Sequence, residues 1–116
     1  MRSNQALKAY YREINTRFFD NELPDNVCVR YAESDEESDC GSANHGVDAR
    51  HKYLILLNRE KNPTWTIRIG TLAHEMVHLA TGLRDEHGPA FDRWHKLLTE
   101  RGLFKKGALR KDFTLF

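Results

Sequence analysis

A chain of 116 residues is long enough for one compact domain and too short for two. With 40% hydrophobic residues, 30% charged residues and a net charge of +1, the composition fits a globular protein and excludes a strong overall attraction to nucleic acid or membrane. The chain has no apolar run near the roughly 20 residues of a membrane span and no apolar signal segment at its N-terminus, so we expect a cytoplasmic protein.

The N-terminal segment predicts a helix. Apolar residues recur there at spacings of four, three and four, which places them on one helical face: Leu7, Tyr11, Ile14 and Phe18. Ser3 or Asn4 is expected to cap the start of this helix, and Pro24 lies beyond its end. The apolar face predicts that the helix packs against the core of the domain.

Three segments between residues 27 and 57 are predicted to contain the strands. Residues 27–32 alternate with a period of two, which indicates a half-buried strand. Residues 53–57 form a continuous apolar run of strand length, which indicates a buried strand. Residues 40–46, with the sequence CGSANHG, are expected to form a loop that contains a short strand.

Charge is unevenly distributed along the chain. Residues 33–39 carry five carboxylates in seven positions, and residues 101–116 carry five basic residues and one acidic residue. Such runs are usually solvated loops and tails, and this is the plain interpretation of both. The alternative for the basic tail is contact with the phosphates of DNA or with an acidic partner.

The second half of the chain predicts two helices. The first starts after Asn-Pro-Thr at 62–64 and ends at Gly82. Its core-facing stripe consists of Trp65, Ile69, Leu72, Met76 and Leu79. The second has Pro89 in its first turn, Gly102 at its end and an apolar face of Phe91, Trp94 and Leu98. The order helix, strands, helix, helix predicts a small α+β domain.

The HEMVH segment at 74–78 predicts a metal site. His74 and His78 are four residues apart, so on a helix their imidazoles project side by side and can both reach one Zn²⁺ ion. Glu75 is rotated out of the ligand pair and can approach the zinc-bound water instead. Zinc lowers the pKa of that water toward ~7, and a carboxylate beside it can accept the proton as the water attacks a carbonyl.

A catalytic zinc usually has a third protein ligand, and His87 is the candidate. Gly82 ends the helix early enough for the chain to turn back, and the sequence His-Gly-Pro at 87–89 fixes the histidine at the start of the next helix. The other histidines, His45, His51 and His95, are expected at the surface, with His45 of some interest because it lies in a glycine-flanked loop.

Several further residues are candidates for lesser roles in the site. The acidic side chains near the histidines could orient the zinc ligands: Asp85, Glu86 and Asp92. Three others could stabilise the oxyanion: Tyr53, His45 and His95. The two cysteines, Cys28 and Cys40, are too few for a disulfide framework and are expected to be a core thiol and a loop thiol.

The motifs together resemble the SprT-like zinc metallopeptidases, a family that includes the Spartan-type proteases of DNA–protein crosslink repair. The resemblance covers roughly residues 7–98. The segments that carry it are FFDNELP at 18–24, VCVRY at 27–31, CGSA at 40–43, YLILL at 53–57, HEMVH at 74–78 and HGPAF at 87–91. HEMVH alone is shared by many zinc peptidases, whereas its combination with HGPAF is far more specific.

The resemblance implies a small zincin-like domain that spans residues 1–116, with its core at about 7–98 and a basic tail at 101–116. Its parts would be an N-terminal helix, a short three-stranded sheet, the helix that carries HEMVH and a C-terminal helix. His74, His78 and His87 would hold zinc, and Glu75 would be the general base. An edge strand near residues 40–46 would bind an extended protein or peptide substrate, from unfolded or DNA-associated proteins.

Two alternatives from other functional classes stay open. One is a metal-dependent endoribonuclease with three histidines, which would not need Glu75. The other is a non-catalytic module that keeps zinc for folding and uses the basic tail to hold nucleic acid or a protein, although structural zinc sites usually have four protein ligands.

Overall fold

The computed structural model describes residues 2–33, 39–46, 48–83 and 87–104. The elements in chain order are α1 (Arg2–Phe18), β1 (Val27–Tyr31), β2 (Gly41–His45), β3 (Tyr53–Leu57), α2 (Trp65–Ala80) and α3 (Pro89–Glu100). The predicted small α+β domain with a three-stranded sheet is therefore confirmed. Most of the acidic run, Asp85, Glu86 and the tail beyond residue 104 lie outside the described residues.

The sheet has the strand order β1-β3-β2, so β3 is central and the other two strands form the edges. β1 pairs with β3 in parallel, with Val27 opposite Tyr53, whereas β2 pairs with β3 antiparallel, with Gly41 opposite Leu57. The central place of β3 explains its continuous apolar sequence, because a strand flanked on both sides has little contact with water. The residues expected to form a short strand inside a loop are thus a full edge strand.

The core lies between α1, the sheet and α2. Its fully buried side chains come from all three layers and include Leu7, Tyr11, Ile14, Ile55, Leu57, Leu72 and Met76. Of the stripe predicted on α2, Leu72 and Met76 are fully buried, while Trp65, Ile69 and Leu79 pack against the core with part of their surface exposed. The helical and strand periodicities therefore identified the core-facing sides of these elements.

The start of α1 differs from the prediction. The helix begins at Arg2, so neither Ser3 nor Asn4 precedes it as a cap. Instead, Oδ1 of Asn4 accepts a hydrogen bond from the backbone N–H of Tyr31, at 2.9 Å, across the boundary between helix and sheet. The expectation was wrong because a strand 27 residues further along the chain offers Asn4 a donor that local sequence patterns do not reveal.

The FFDNELP segment forms the turn after α1. Asp20 and Asn21 adopt positive φ angles of 53° and 59°, which acidic and amide residues tolerate better than most. The buried side chain of Asn15 fastens the turn, since its Oδ1 accepts from the N–H of Leu23 and its Nδ2 donates to the carbonyl of Leu23, at 3.0 and 2.9 Å. This turn directs the chain into β1.

The ends of α2 lie where the sequence predicted, and both ends are capped. Oγ1 of Thr64 accepts a hydrogen bond from the N–H of Ile67 at the start. At the other end Gly82 has a φ of +86°, its N–H donates to the carbonyl of Leu79, and the N–H of Leu83 donates to the carbonyl of His78. This is the Schellman pattern, in which glycine permits the left-handed residue after the helix. None of the described helices is long and apolar enough to cross a membrane.

α3 packs across the ends of the other two helices. The ring of Trp94 stacks on Phe19, with centroids 4.9 Å apart, and the guanidinium of Arg101 donates to the carbonyl of Phe18 at 2.6 Å. Gly102 ends the helix with a φ of +87°, as its position predicted. These contacts hold α3 against the end of α1.

Candidate metal centre

Three histidine side chains converge at one point between α2 and α3. His74 and His78 project from successive turns of α2, and His87 stands just before α3. One nitrogen from each ring can be chosen so that all three lie within 4.8 Å of one another. Nε2 of His78 and Nε2 of His87 are 3.3 Å apart, roughly the spacing of two ligands that each lie 2.0–2.1 Å from a single tetrahedral ion. The three rings could therefore hold one metal ion.

The backbone explains how His87 returns to His78 over nine residues. Gly82 and Leu83 both have positive φ angles, 86° and 62°, and they reverse the chain at the end of α2. On the other side, Gly88 is the extended N-cap residue of α3, and Pro89 follows in its first turn. Because Pro89 presets the helical φ angle, the start of α3 is rigid close to His87.

Phe91 supports all three imidazoles. Its buried ring lies 5.0 Å from His74, 5.0 Å from His78 and 4.3 Å from His87, measured between ring centroids, and it stacks on the last of these. An aromatic ring in van der Waals contact restricts the rotamers of the ligands and excludes water from one side of them. The phenylalanine of HGPAF thus has a direct structural reason for its position four residues after His87.

The environment keeps His74 in the form that binds metals. Its pKa is lowered to about 4, mainly because the ring is buried and also because the protonated forms of His78, His87 and His95 would repel a second positive charge. At neutral pH the ring is uncharged, and a lone pair is available without displacement of a proton. Neutral imidazole is the form that coordinates a metal.

Glu75 lies at the bottom of a cleft beside the histidines. Its side chain belongs to a buried residue, only 6% exposed. The cleft has a volume of about 180 Å³ and is lined by Glu75 and His78 of α2, by residues 41–44 of β2, and by Asp39 and Leu83. The carboxylate therefore shares this cleft with His78 and with the edge strand.

The cleft depends on a very close approach of β2 to α2 at Gly41. A Cβ atom at this position would lie 2.9 Å from Cγ2 of Thr71, 3.0 Å from the carbonyl oxygen of Leu56 and 3.4 Å from Cγ of Glu75. Only glycine fits, because any side chain would push the strand away from the helix. Neither Gly41 nor Thr71 was singled out from the sequence as a site residue; the glycine at the start of a short strand was the available signal.

The remaining candidate residues lie elsewhere. His45 is at the exposed end of β2, where its ring faces Tyr53 at 6.0 Å, and His51 contacts Asp48 on a loop. His95 lies one turn beyond Phe91 on α3, with its ring stacked between Phe91 and Phe104. In the described part of the chain, the metal-ligand group contains His74, His78 and His87 alone.

The two cysteines and the acidic candidates do not join the cluster either. Cys28 and Cys40 are free thiols, the first partly buried and the second exposed, so the expected core thiol at Cys28 is only half enclosed. Asp92 is an exposed residue in the first turn of α3. Asp85 and Glu86 fall in the segment outside the described residues.

Comparison with known proteins gives one result that covers most of the chain. The model of the SprT-like family matches residues 7–108, a span that includes the three strands, α2, the histidine cluster and α3. Searches of the curated proteins and of the solved structures found no match. The matched span and the arrangement of HEMVH and HGPAF around one point lead to a single conclusion: the chain belongs to the SprT-like family.

Proposed function

We propose that the protein is a zinc-dependent metalloprotease with a zincin-like site that hydrolyses peptide bonds in protein substrates. One observation carries the proposal: three imidazoles meet at a point beside a buried glutamate, at the bottom of a cleft that an edge strand borders. Membership of the SprT-like family, which is associated with zinc metalloprotease activity, supports the same conclusion.

The donor set fits zinc. Three neutral imidazole nitrogens are typical ligands of a catalytic zinc, whose fourth position is taken by water or substrate. The lowered pKa of His74 removes competition from a proton at that ring. When bound, zinc would supply a Lewis acid that polarises the scissile carbonyl and acidifies a water molecule.

Glu75 would act as the general base and then as the general acid. Its carboxylate would accept a proton from the attacking water, and the resulting carboxylic acid would donate that proton to the leaving amine. The buried location at the bottom of the cleft supports this role, because a carboxylate shielded from bulk water exchanges its proton with the reacting groups rather than with solvent.

The edge strand β2 would hold the substrate in an extended conformation. Asn58 donates its N–H to the carbonyl of Cys40, and Gly46 donates its N–H to the carbonyl of Lys52, so these opposed pairs bond across the β2–β3 ladder. Since bonded and non-bonded pairs alternate in an antiparallel ladder, the backbone groups of Gly41, Ala43 and His45 point away from β3. A polypeptide that adds a strand there would pass over Glu75 and the histidines.

Binding of this kind requires an extended segment, so flexible or unfolded regions of proteins are the expected substrates. DNA-associated proteins are the more specific substrate class that the family resemblance suggests, with the basic tail as the segment that would contact DNA. Nuclease activity is less well supported, because a three-histidine ribonuclease has no use for a buried glutamate beside its metal.

The test is cleavage of casein by the zinc-loaded protein, compared with Glu75→Gln and His87→Ala. Glu75→Gln should retain near-stoichiometric zinc and lose roughly 10²–10⁴-fold in rate, because the general base is gone. His87→Ala should lose most of its zinc as well as its activity. Glu60→Gln and His51→Ala, which change the same residue types at positions remote from the cluster, are the matched controls.

The outcomes separate the proposals. Full activity of Glu75→Gln would contradict the role of this residue, and zinc retention by His87→Ala would contradict the ligand set. Cleavage of structured RNA with no cleavage of casein would favour the ribonuclease, whereas salt-dependent DNA binding without turnover would favour the binding module.

A further inference from the structure

We propose that Asn62 is a positioning residue for this reaction: its side-chain amide fixes the distance between the substrate-binding strand β2 and Glu75. The inference rests on the proposed proteolytic function and adds to it a residue outside the metal centre and the cleft. Asn62 lies in the loop between β3 and α2 and has no exposed surface.

The amide of Asn62 joins three segments of the chain. Its Nδ2 donates to the carbonyl of Cys40 at 2.8 Å and to the carbonyl of Asn58 at 2.7 Å. Its Oδ1 accepts from the hydroxyl of Thr71 at 2.5 Å. Both amide hydrogens and the amide oxygen therefore form hydrogen bonds, and each bond goes to a different segment of the chain.

The positions of these partners connect Asn62 to the site. Cys40 immediately precedes Gly41, the first residue of β2, and Thr71 lies one helical turn before Glu75 on α2. The bonds of Asn62 thus link the beginning of the strand to the helix at the place where they come closest. That place is defined by Gly41, whose missing Cβ would lie within 3.4 Å of both Thr71 and Glu75.

Asn62 is itself held rigidly. Its backbone carbonyl accepts a hydrogen bond from Nε of Arg68 at 2.7 Å, and the same guanidinium lies over the ring of Trp65 at 4.8 Å. A buried amide with every hydrogen-bonding group satisfied and its backbone anchored has little freedom to rotate. It can therefore hold the groups that it contacts at a fixed distance from one another.

The spacing matters because the scissile bond would be placed by β2, while the proton acceptor is placed by α2. A displacement of about 1 Å between reacting groups can reduce a rate by up to about 100-fold. The proposed zinc ligands lie further along α2 and just before α3, so a small shift of β2 leaves them in place. Loss of the Asn62 bonds is thus expected to reduce kcat without loss of metal.

Thr71→Val provides the cleanest test. Valine has nearly the same shape as threonine but lacks the hydroxyl that donates a hydrogen bond to Asn62. We expect kcat on a casein-derived peptide to fall about 10-fold, with KM and zinc content close to those of the wild type. Asn62→Ala should reduce kcat further, and the double variant should be no worse than Asn62→Ala, since both changes break one connection. Thr71→Ser, which keeps the hydroxyl, should recover most of the lost rate.

Thr66→Val is the matched control, because it makes the same change on the exposed face of the first turn of α2. A residue that only stabilised the fold would lower the melting temperature and leave kcat per folded, zinc-loaded molecule unchanged. That result for Thr71→Val would overturn the proposal. If Asn62→Ala does not fold, Thr71→Val still decides the question.

A second measurement separates this inference from the proposed function. If wild type and Glu75→Gln hydrolyse peptide at the same rate, the proteolytic mechanism fails. Hydrogen exchange of the amides at 41–45 then tests the spacing alone: faster exchange in Thr71→Val than in Thr66→Val supports the link between Asn62 and β2. Equal exchange in the two variants contradicts it.

Discussion

The two edges of the sheet differ in how they are occupied. At the β1 edge, side chains of α1 contact the outward backbone groups: Asn4 accepts from the N–H of Tyr31, and the ammonium group of Lys8 donates to the carbonyl of Val27 at 2.5 Å. At the β2 edge, Gly41, Ala43 and His45 direct their backbone groups away from β3, next to the cleft that contains Glu75.

The difference has a physical explanation. An edge strand with free backbone groups pairs readily with other chains, so proteins commonly cover the edges that are not used. Here α1 runs along β1. Its Asn4 supplies an acceptor at the Tyr31 end of the strand, and its Lys8 supplies a donor at the Val27 end. The opposite edge has the close contact with α2 at Gly41 instead. The same type of edge is thus covered by side chains of α1 at β1, whereas at β2 it borders the cleft that contains Glu75.

The largest effect is expected from Gly41→Ala at the β2 edge. The added methyl group would lie 3.0 Å or less from Thr71 and from the backbone of Leu56, so the strand must move away from Glu75. We expect about a 100-fold loss of peptidase activity and roughly 1–3 kcal/mol of destabilisation. Peptide hydrolysis and thermal unfolding measure the two effects.

Gly70→Ala is the control for this substitution. Gly70 lies within α2, and apart from its chain neighbours and the backbone of its own helix no described atom lies within 4 Å of a Cβ atom added there. Alanine should stabilise the helix by about 0.5–1 kcal/mol and leave activity unaltered. If Gly41→Ala behaved in the same way as Gly70→Ala, the close approach of β2 to α2 would have no functional importance.

A bound peptide should slow amide hydrogen exchange at the β2 edge and leave it unchanged at the β1 edge. We expect a non-hydrolysable extended peptide to slow amide hydrogen exchange of Gly41, Ala43 and His45 by about 10-fold, because new strand hydrogen bonds would form there. The amides of Val27 and Tyr31 at the β1 edge should be unaffected. Protection of β1 and not of β2 would reverse the assignment of the substrate-binding edge.

Removal of the covering side chains should weaken the β1 edge without loss of catalysis. Asn4→Ala leaves the N–H of Tyr31 without its acceptor, and Lys8→Met removes the donor to Val27. Each is expected to cost about 1 kcal/mol of folding free energy and to increase self-association. Asn4→Asp, which retains an acceptor, should be milder. Denaturant unfolding and light scattering would measure these effects, with peptidase activity per folded molecule as the reference.

The smallest expected effect is the pH dependence of the stability of the metal-free protein. Because the pKa of His74 falls to about 4 in the folded state, from 6.5 in the unfolded chain, the unfolded chain binds more protons between these values. Stability is therefore complete above pH 6.5 and decreases as the pH falls toward 4. For this partly exposed ring we expect about 1 kcal/mol after solvent screening. Unfolding of zinc-free wild type and His74→Gln over this range tests it; parallel curves would contradict the prediction.

Local sequence determined the elements and the residues of the candidate metal centre. The apolar spacings predicted the faces of α1, α2 and α3, because side-chain direction in a helix or strand follows from position alone. The interval between His74 and His78 fixed their proximity on α2 for the same reason. Gly82, Gly88 and Pro89 indicated where the chain turns and restarts, and this made His87 the candidate for the third position.

Only the tertiary structure decided how the strands are ordered and which groups meet across the chain. Three features join residues that are distant in sequence: the central place of β3 between β1 and β2, the hydrogen bond from Tyr31 to Asn4, and the link from Cys40 through Asn62 to Thr71. Such contacts depend on the simultaneous packing of several elements around one core, and no local periodicity encodes them. A motif therefore identified the candidate metal ligands, whereas only the assembled structure showed the spacing between β2 and Glu75.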